Sequence, residues 1–218
     1  MKRTERHHLK EDEIRTGIGK FVHFVKTWQK ELTIFAAALA GLSLIILGLL
    51  ALRSRQIRVQ SRIAGEILSL AAGLDDTPDN LARIEELSGR GKFARLGYLE
   101  MAKYWMTKGD FEKADGALSR LPKSPRDLVY YQGENLKAQA AVHRKDFDAA
   151  IAIYRKIEAD DPPVYPLDAA LFHLAEAYEL KGEIQEARDL YTRIQQEYAQ
   201  SYFGYEASVK VGRLDLGK

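Results

Sequence analysis

Five histidines are the residues best suited to acid–base or metal chemistry: His7, His8, His23, His143 and His173. His7 and His8 are adjacent in a charged stretch and cannot alone build a preorganised site. His143 and His173 can approach across neighbouring structural units, yet neither is expected to have an acidic or histidine partner at metal-ligand spacing. Each reads as a surface or groove histidine. The acidic pairs Asp75–Asp76 and Asp160–Asp161 fall in loops and read as solvated turn residues. "GRGK" at Gly89–Lys92 has Glu86 where a phosphate loop needs its first glycine, and no G-x-S-x-G elbow occurs. With no cysteine, thiolate ligands, disulfides and a cysteine nucleophile are excluded. The expectation is a non-enzymatic protein with no cofactor and no metal.

Charge narrows the partners further. Residues 1–31 carry eight Lys/Arg against five Asp/Glu, so 25 basic and 26 acidic residues remain of the chain's 33 and 31. A near-neutral bulk argues against nucleic acid, which needs a basic excess on the domain that meets phosphate. Hydrophobic residues make up 46% and charged residues 29%, with only six prolines, a composition that suits a helical fold.

One segment departs from that composition. "LTIFAAALAGLSLIILGLLAL", residues 32–52, holds no charge. At ~1.5 Å per residue such a helix spans about 30 Å, the thickness of a bilayer core. A cleaved signal peptide has an apolar core of only ~7–15 residues and a small-x-small site; "LLALRSRQ" offers no such site. A retained transmembrane helix contacting lipid over residues 32–52 is expected. Arg15, Lys20, Lys26 and Lys30 precede it and Arg53, Arg55, Arg58 and Arg62 follow it, so the flanks tie. Lys2, Arg3, Arg6 and Lys10 tip the N-terminus towards the cytoplasm. Before the span, Ile14, Ile18, Phe21, Val22, Val25 and Trp28 mark one helical face. They describe either an interfacial amphipathic helix or a longer anchor helix loosened at Gly17 and Gly19.

Beyond the span, helical character runs to about Leu74. Thr77 as cap and Pro78 at the first helical position open a further helix ending near Ser88. Then one motif recurs: "KGDFEKA" from Lys108, "RKDFDAA" from Arg144 and "KGEIQEA" from Lys181. Their alanines, Ala114, Ala150 and Ala187, are 36 and 37 residues apart. Each stretch reads as the turn of a helix–turn–helix unit, with Gly109, Lys145 and Gly182 at a left-handed position. Ala102, Ala138 and Ala175 precede the turns, and small residues there let two helices approach closely. Trp105, Tyr154, Leu174, Tyr178 and Tyr191 fill the space beside them. Glu134, Lys137 and Ala141 interrupt this pattern, so the helix that carries them is expected to pack least well. Residues 201–214 read as a closing helix. The pattern resembles the tetratricopeptide repeat, a unit of ~34 residues that stacks into a solenoid. The fold class is therefore all-α: a transmembrane helix, then an α-solenoid of such repeats and a closing helix. The parts are a basic head (1–31), the span (32–52), a connecting region and first helix pair (53–92) and the repeats (93–218).

The first helices of stacked repeats line a concave face, which commonly takes an extended peptide or a helix. Leu99, Lys103, Met106, Asn135, Gln139, Phe172, Glu176 and Glu179 are expected on or near it. The whole order of parts, with "VKTWQKE" before the anchor, looks like the YfgM-like family of bacterial membrane-anchored tetratricopeptide-repeat proteins. That resemblance implies a single-pass inner-membrane protein with periplasmic repeats. It also implies a non-catalytic role beside the Sec translocon, with periplasmic chaperones and exported clients as partners. A scaffold for cell-wall or outer-membrane assembly, or an adapter facing the cytoplasm, are the other readings.

Overall fold

A computed structural model describes Gly19, His23, residues 26–74, Thr77 and residues 79–216. The helical face expected over Ile14–Val25, the pair Asp75–Asp76 and the helix start at Pro78 lie outside the described residues. The chain divides into two units, Met1–Arg58 and Val59–Lys218. Among the described residues there are nine helices and no strand.

Helix α1, Gln29–Ala72, is one uninterrupted element of 44 residues. The sequence reading separated the apolar span from a connecting helix. The two are continuous because strong helix formers dominate the stretch and no proline interrupts it. By length and composition α1 can cross a membrane. In its apolar run Phe35, Leu44, Leu47 and Leu52 are exposed, whereas Ile67 near its end is buried.

In the second unit, α2 is Asn80–Ser88. The Asn80 N–H donates to the Thr77 carbonyl at 3.0 Å. The remaining helices are α3 (Leu96–Thr107), α4 (Phe111–Ser119), α5 (Leu128–His143), α6 (Phe147–Asp160), α7 (Leu167–Lys181), α8 (Ile184–Glu197) and α9 (Tyr202–Leu216). Helices α3 and α4, α5 and α6, and α7 and α8 pack as successive pairs. The second helix of each pair also packs on the element that follows it.

The recurrent heptapeptide has one geometry. Gly109, Lys145 and Gly182 have φ of 74°, 62° and 91°, all left-handed. Their N–H groups donate to the carbonyls of Met106, Val142 and Glu179 at 3.1, 2.9 and 3.1 Å. The next N–H groups, of Asp110, Asp146 and Glu183, reach back to Trp105, Ala141 and Tyr178 at 2.9, 2.8 and 2.9 Å. These two bonds are a Schellman motif, which satisfies carbonyls that the helix end leaves without partners. Asp110 and Asp146 then cap the second helix, accepting the backbone N–H of Lys113 and Ala149 at 3.0 and 3.2 Å. Glu183, one methylene longer, makes no such side-chain bond. The closing alanines donate to the carbonyls of Asp110, Asp146 and Glu183, completing the first helical turn.

Packing explains the alanines. Ala102, Ala114, Ala138, Ala150, Ala175 and Ala187 have no exposed surface, and Tyr154, Leu174 and Tyr191 are buried beside them. Trp105 and Tyr178 keep part of their surface in water. One apolar cluster gathers Ile67, Ile84, Leu99 and Leu118, and a second gathers Tyr131, Tyr154, Ile157, Leu171, Leu174 and Tyr191. Burying one such aliphatic side chain stabilises the fold by ~1.5–3 kcal/mol. In α5, Tyr130, Tyr131 and Ala141 are buried and the polar residues are paired. Glu134 accepts from Lys137 at 2.8 Å and from Lys156 at 3.4 Å. Burial opposes the Glu134 charge, but these bonds outweigh it and hold the carboxyl below its ordinary range.

Candidate partner-binding groove

Residues from α5, α6, α7 and α9 enclose an open groove of about 390 Å³. Gln139, Val142 and His143 come from α5, Tyr154 from α6, His173, Glu176, Glu179 and Leu180 from α7, and Lys210 from α9. Helical spacing puts them there. Relative to the buried alanine of each first helix, the open positions are two before (His173), one after (Gln139, Glu176) and four or five after (Val142, His143, Glu179, Leu180). Leu180 is 57% exposed at the rim.

Lys210, Glu179, Glu176, Tyr191 and His173 are tied into one network. Lys210 Nζ donates to Glu179 Oε2 at 2.8 Å and lies 3.8 Å from Glu176 Oε1. The Tyr191 hydroxyl donates to the same Glu179 oxygen at 2.9 Å. Burial opposes the Glu179 charge, yet the bonds from Lys210 and Tyr191 prevail and lower its pKa. Burial, and then the bond to Glu179, push the Tyr191 hydroxyl up, so it stays a neutral donor. Burial raises the Tyr154 hydroxyl as well, and it donates to Asn135 Oδ1 at 3.1 Å. His173 Nδ1 lies 2.9 Å from Glu176 Oε2, and its ring stands 6.0 Å from Tyr154 and 5.8 Å from Phe203. Among the described residues no group of three His, Asp or Glu side chains is placed to hold a metal.

The tetratricopeptide repeat family matches residues 169–201. This segment is similar to a tetratricopeptide repeat. It holds nearly all of α7 and the whole of α8, and so supplies the groove's two carboxylates. Tetratricopeptide repeats are typically non-catalytic modules that bind proteins. No curated protein and no solved structure gives a significant match. The turn that links the two helices of the repeat also joins α3 to α4 and α5 to α6 upstream.

The repeat register also sorts the residues expected to face a partner. Gln139, Glu176 and Glu179 line the groove. Lys103 is exposed and Met106 half-buried at the equivalent positions of α3. Leu99 and Phe172 are different: they keep 0% and 6% of their surface and pack inside. Both stand three residues before a buried alanine, and i,i+3 neighbours share a helix face. Asn135 holds the same register and turns to the Tyr154 hydroxyl. Sequence reasoning placed Tyr154 in the packing alone and did not pair His173 with Glu176; the i,i+3 spacing of the two carries that signal. Lys210 comes from the closing helix, whose approach to α7 no local motif announces.

The "GRGK" stretch holds a side chain of the protein itself. Gln60 Nε2 donates to the Arg90 carbonyl at 3.1 Å, and Gln60 Oε1 accepts the Phe93 N–H at 3.3 Å. A Cβ on Gly91, whose φ is 137°, would stand 2.3 Å from the Gln60 amide. The turn is closed by Gln60.

Proposed function

We propose that α3–α9 form a short tetratricopeptide solenoid whose groove docks a segment of another protein, and that residues 32–52 anchor the solenoid in the inner membrane. The observation that carries this reading is the groove itself. It offers fixed carboxylates at Glu176 and Glu179, an ammonium at Lys210, an amide at Gln139 and an apolar rim at Val142 and Leu180. Such a lining suits a polypeptide of mixed character, with backbone and side-chain partners for both signs of charge. Lys103 and Met106 extend the same face along α3. The parts in this reading are a cytoplasmic head (1–31), the span (32–52), a connecting region (53–92) and a periplasmic repeat domain (93–218).

The likeness to YfgM-like proteins supports placing the groove beside the Sec translocon, where it would receive exported proteins and pass them to chaperones. Purification of the full chain from detergent-solubilised membranes tests this, with translocon subunits expected to accompany it. Recovery of a cell-wall or outer-membrane assembly complex instead would transfer the groove to a scaffold role.

One observation favours a second reading. Arg53, Arg55, Arg58 and Arg62 follow the span directly, and basic residues near a span favour the cytoplasmic side. An adapter facing the cytoplasm would result. Protease added to spheroplasts separates the two: cleavage within 93–218 supports the periplasmic domain, and protection supports the adapter.

A further inference from the structure

Of the eleven arginines of the second unit, eight have carboxylate partners. Arg83, Arg90, Arg95, Arg120, Arg126, Arg155, Arg188 and Arg193 each form an ion pair with an Asp or Glu. Arg53, Arg55 and Arg58 of the first unit form a run without such partners. They are exposed, and among the described residues no carboxylate pairs with them. Arg58 Nη1 donates only to Ser54 Oγ, at 2.6 Å. No acidic residue occurs between Glu31 and Glu66. Arg55 and Arg58 share a face of α1, and like charges at that spacing destabilise a helix by ~0.2–0.5 kcal/mol. They lie well inside α1, which continues to Ala72, so the helix C-terminus does not offset the repulsion. An anion from outside the chain would.

We propose that Arg53, Arg55 and Arg58 bind the phosphate groups of anionic phospholipids at the end of the apolar run. The proposal rests on reading residues 32–52 as a membrane span. At ~1.5 Å per residue the three Cα atoms stand about 1.5, 4.5 and 9 Å beyond Leu52 along the helix. The headgroup layer is about 5–8 Å deep on each face of a bilayer. Helical side chains lean towards the helix N-terminus, which at this end of the span is towards the membrane. The long stems lie along acyl chains while the guanidinium groups stay among the phosphates. A guanidinium fork matches two phosphate oxygens at once. Arg53 lies on a different face from Arg55 and Arg58, so headgroups are held on more than one side of the helix.

The test uses the full chain in phosphatidylcholine vesicles carrying a trace of spin-labelled phosphatidylglycerol or spin-labelled phosphatidylcholine. The fraction of each label immobilised by protein is read by electron paramagnetic resonance, for wild type and for R53Q/R55Q/R58Q. Wild type is expected to prefer phosphatidylglycerol roughly fivefold, and the variant to show no preference. Alkaline carbonate should leave both proteins in the vesicles. Equal association of the two lipids with wild type, or an unchanged preference in the variant, would overturn the proposal while the span stands. Loss of the preference on adding inorganic phosphate at matched ionic strength would make the arginines a soluble-phosphate site and overturn the lipid assignment. Extraction of wild type by carbonate would remove the span itself, and the lipid site with it.

Discussion

Lys145 holds the backbone conformation that Gly182 holds one turn later, with φ of 62° against 91°. The same two hydrogen bonds close both turns, yet only glycine adopts this region without a Cβ clash. An L-residue there costs ~1–2 kcal/mol, part of which glycine returns as chain entropy. Lys145→Gly should therefore stabilise the protein by ~0.5–1 kcal/mol, read from the urea midpoint. A lower midpoint would mean that the lysine side chain contributes more than the conformation costs.

The caps make a second comparison between the same turns. Asp146→Ala removes the acceptor for the Ala149 N–H and should cost ~1 kcal/mol. Glu183→Asp should gain a few tenths of a kcal/mol or more, because the shorter carboxylate suits the cap position of α8. Both changes are measured by denaturant unfolding. If Glu183→Asp fails to stabilise, the third turn does not admit the geometry of the first two.

Two glycines separate crowding from chain entropy. A Cβ on Gly204 would lie 2.0 Å from the Tyr198 carbonyl oxygen, whereas a Cβ on Gly116 meets nothing within 4 Å. Gly204→Ala should destabilise by ~1–3 kcal/mol and loosen α9, and Gly116→Ala should stabilise by ~0.5–1 kcal/mol. Equal effects in thermal unfolding would contradict the close approach of α9 to the chain before it.

Much of this was legible in the residue types. The three turns, the six buried alanines and the long apolar helix follow from spacing alone, because each is set by local backbone geometry or by helix length. The groove was legible only in part. Gln139, Glu176 and Glu179 were placed by register, but so were Leu99 and Phe172. Large apolar side chains three residues before a buried alanine share its face, and the tight helix approach draws them in. Lys210 depends on how α9 packs against α7 and α8, a long-range contact with no sequence signature.

The Glu179 network sets an acid limit. Its carboxyl is lowered in the fold, so its stabilising contribution is complete above the ordinary glutamate pKa of about 4.3 and is lost as pH falls through the lower folded value. Stability measured by denaturant between neutral and acidic pH should fall less steeply below about pH 4.3 in Glu179→Gln than in wild type. Parallel curves would show that Lys210 and Tyr191 do not hold the charge. Tyr191→Phe, which removes one donor to Glu179, should cost ~1–1.5 kcal/mol at neutral pH.

The central claim is that the groove between α5, α7 and α9 receives a protein segment. A photoreactive residue at Leu180, exposed on the groove rim, tests it in intact cells, with the exposed Ala152 of α6, which does not line the groove, as the control position. Adducts with translocon subunits, chaperones or exported proteins from position 180, absent from position 152 and reduced by Glu179→Gln, are the predicted result. The same adducts from both positions, or cytoplasmic proteins alone from position 180, would contradict it.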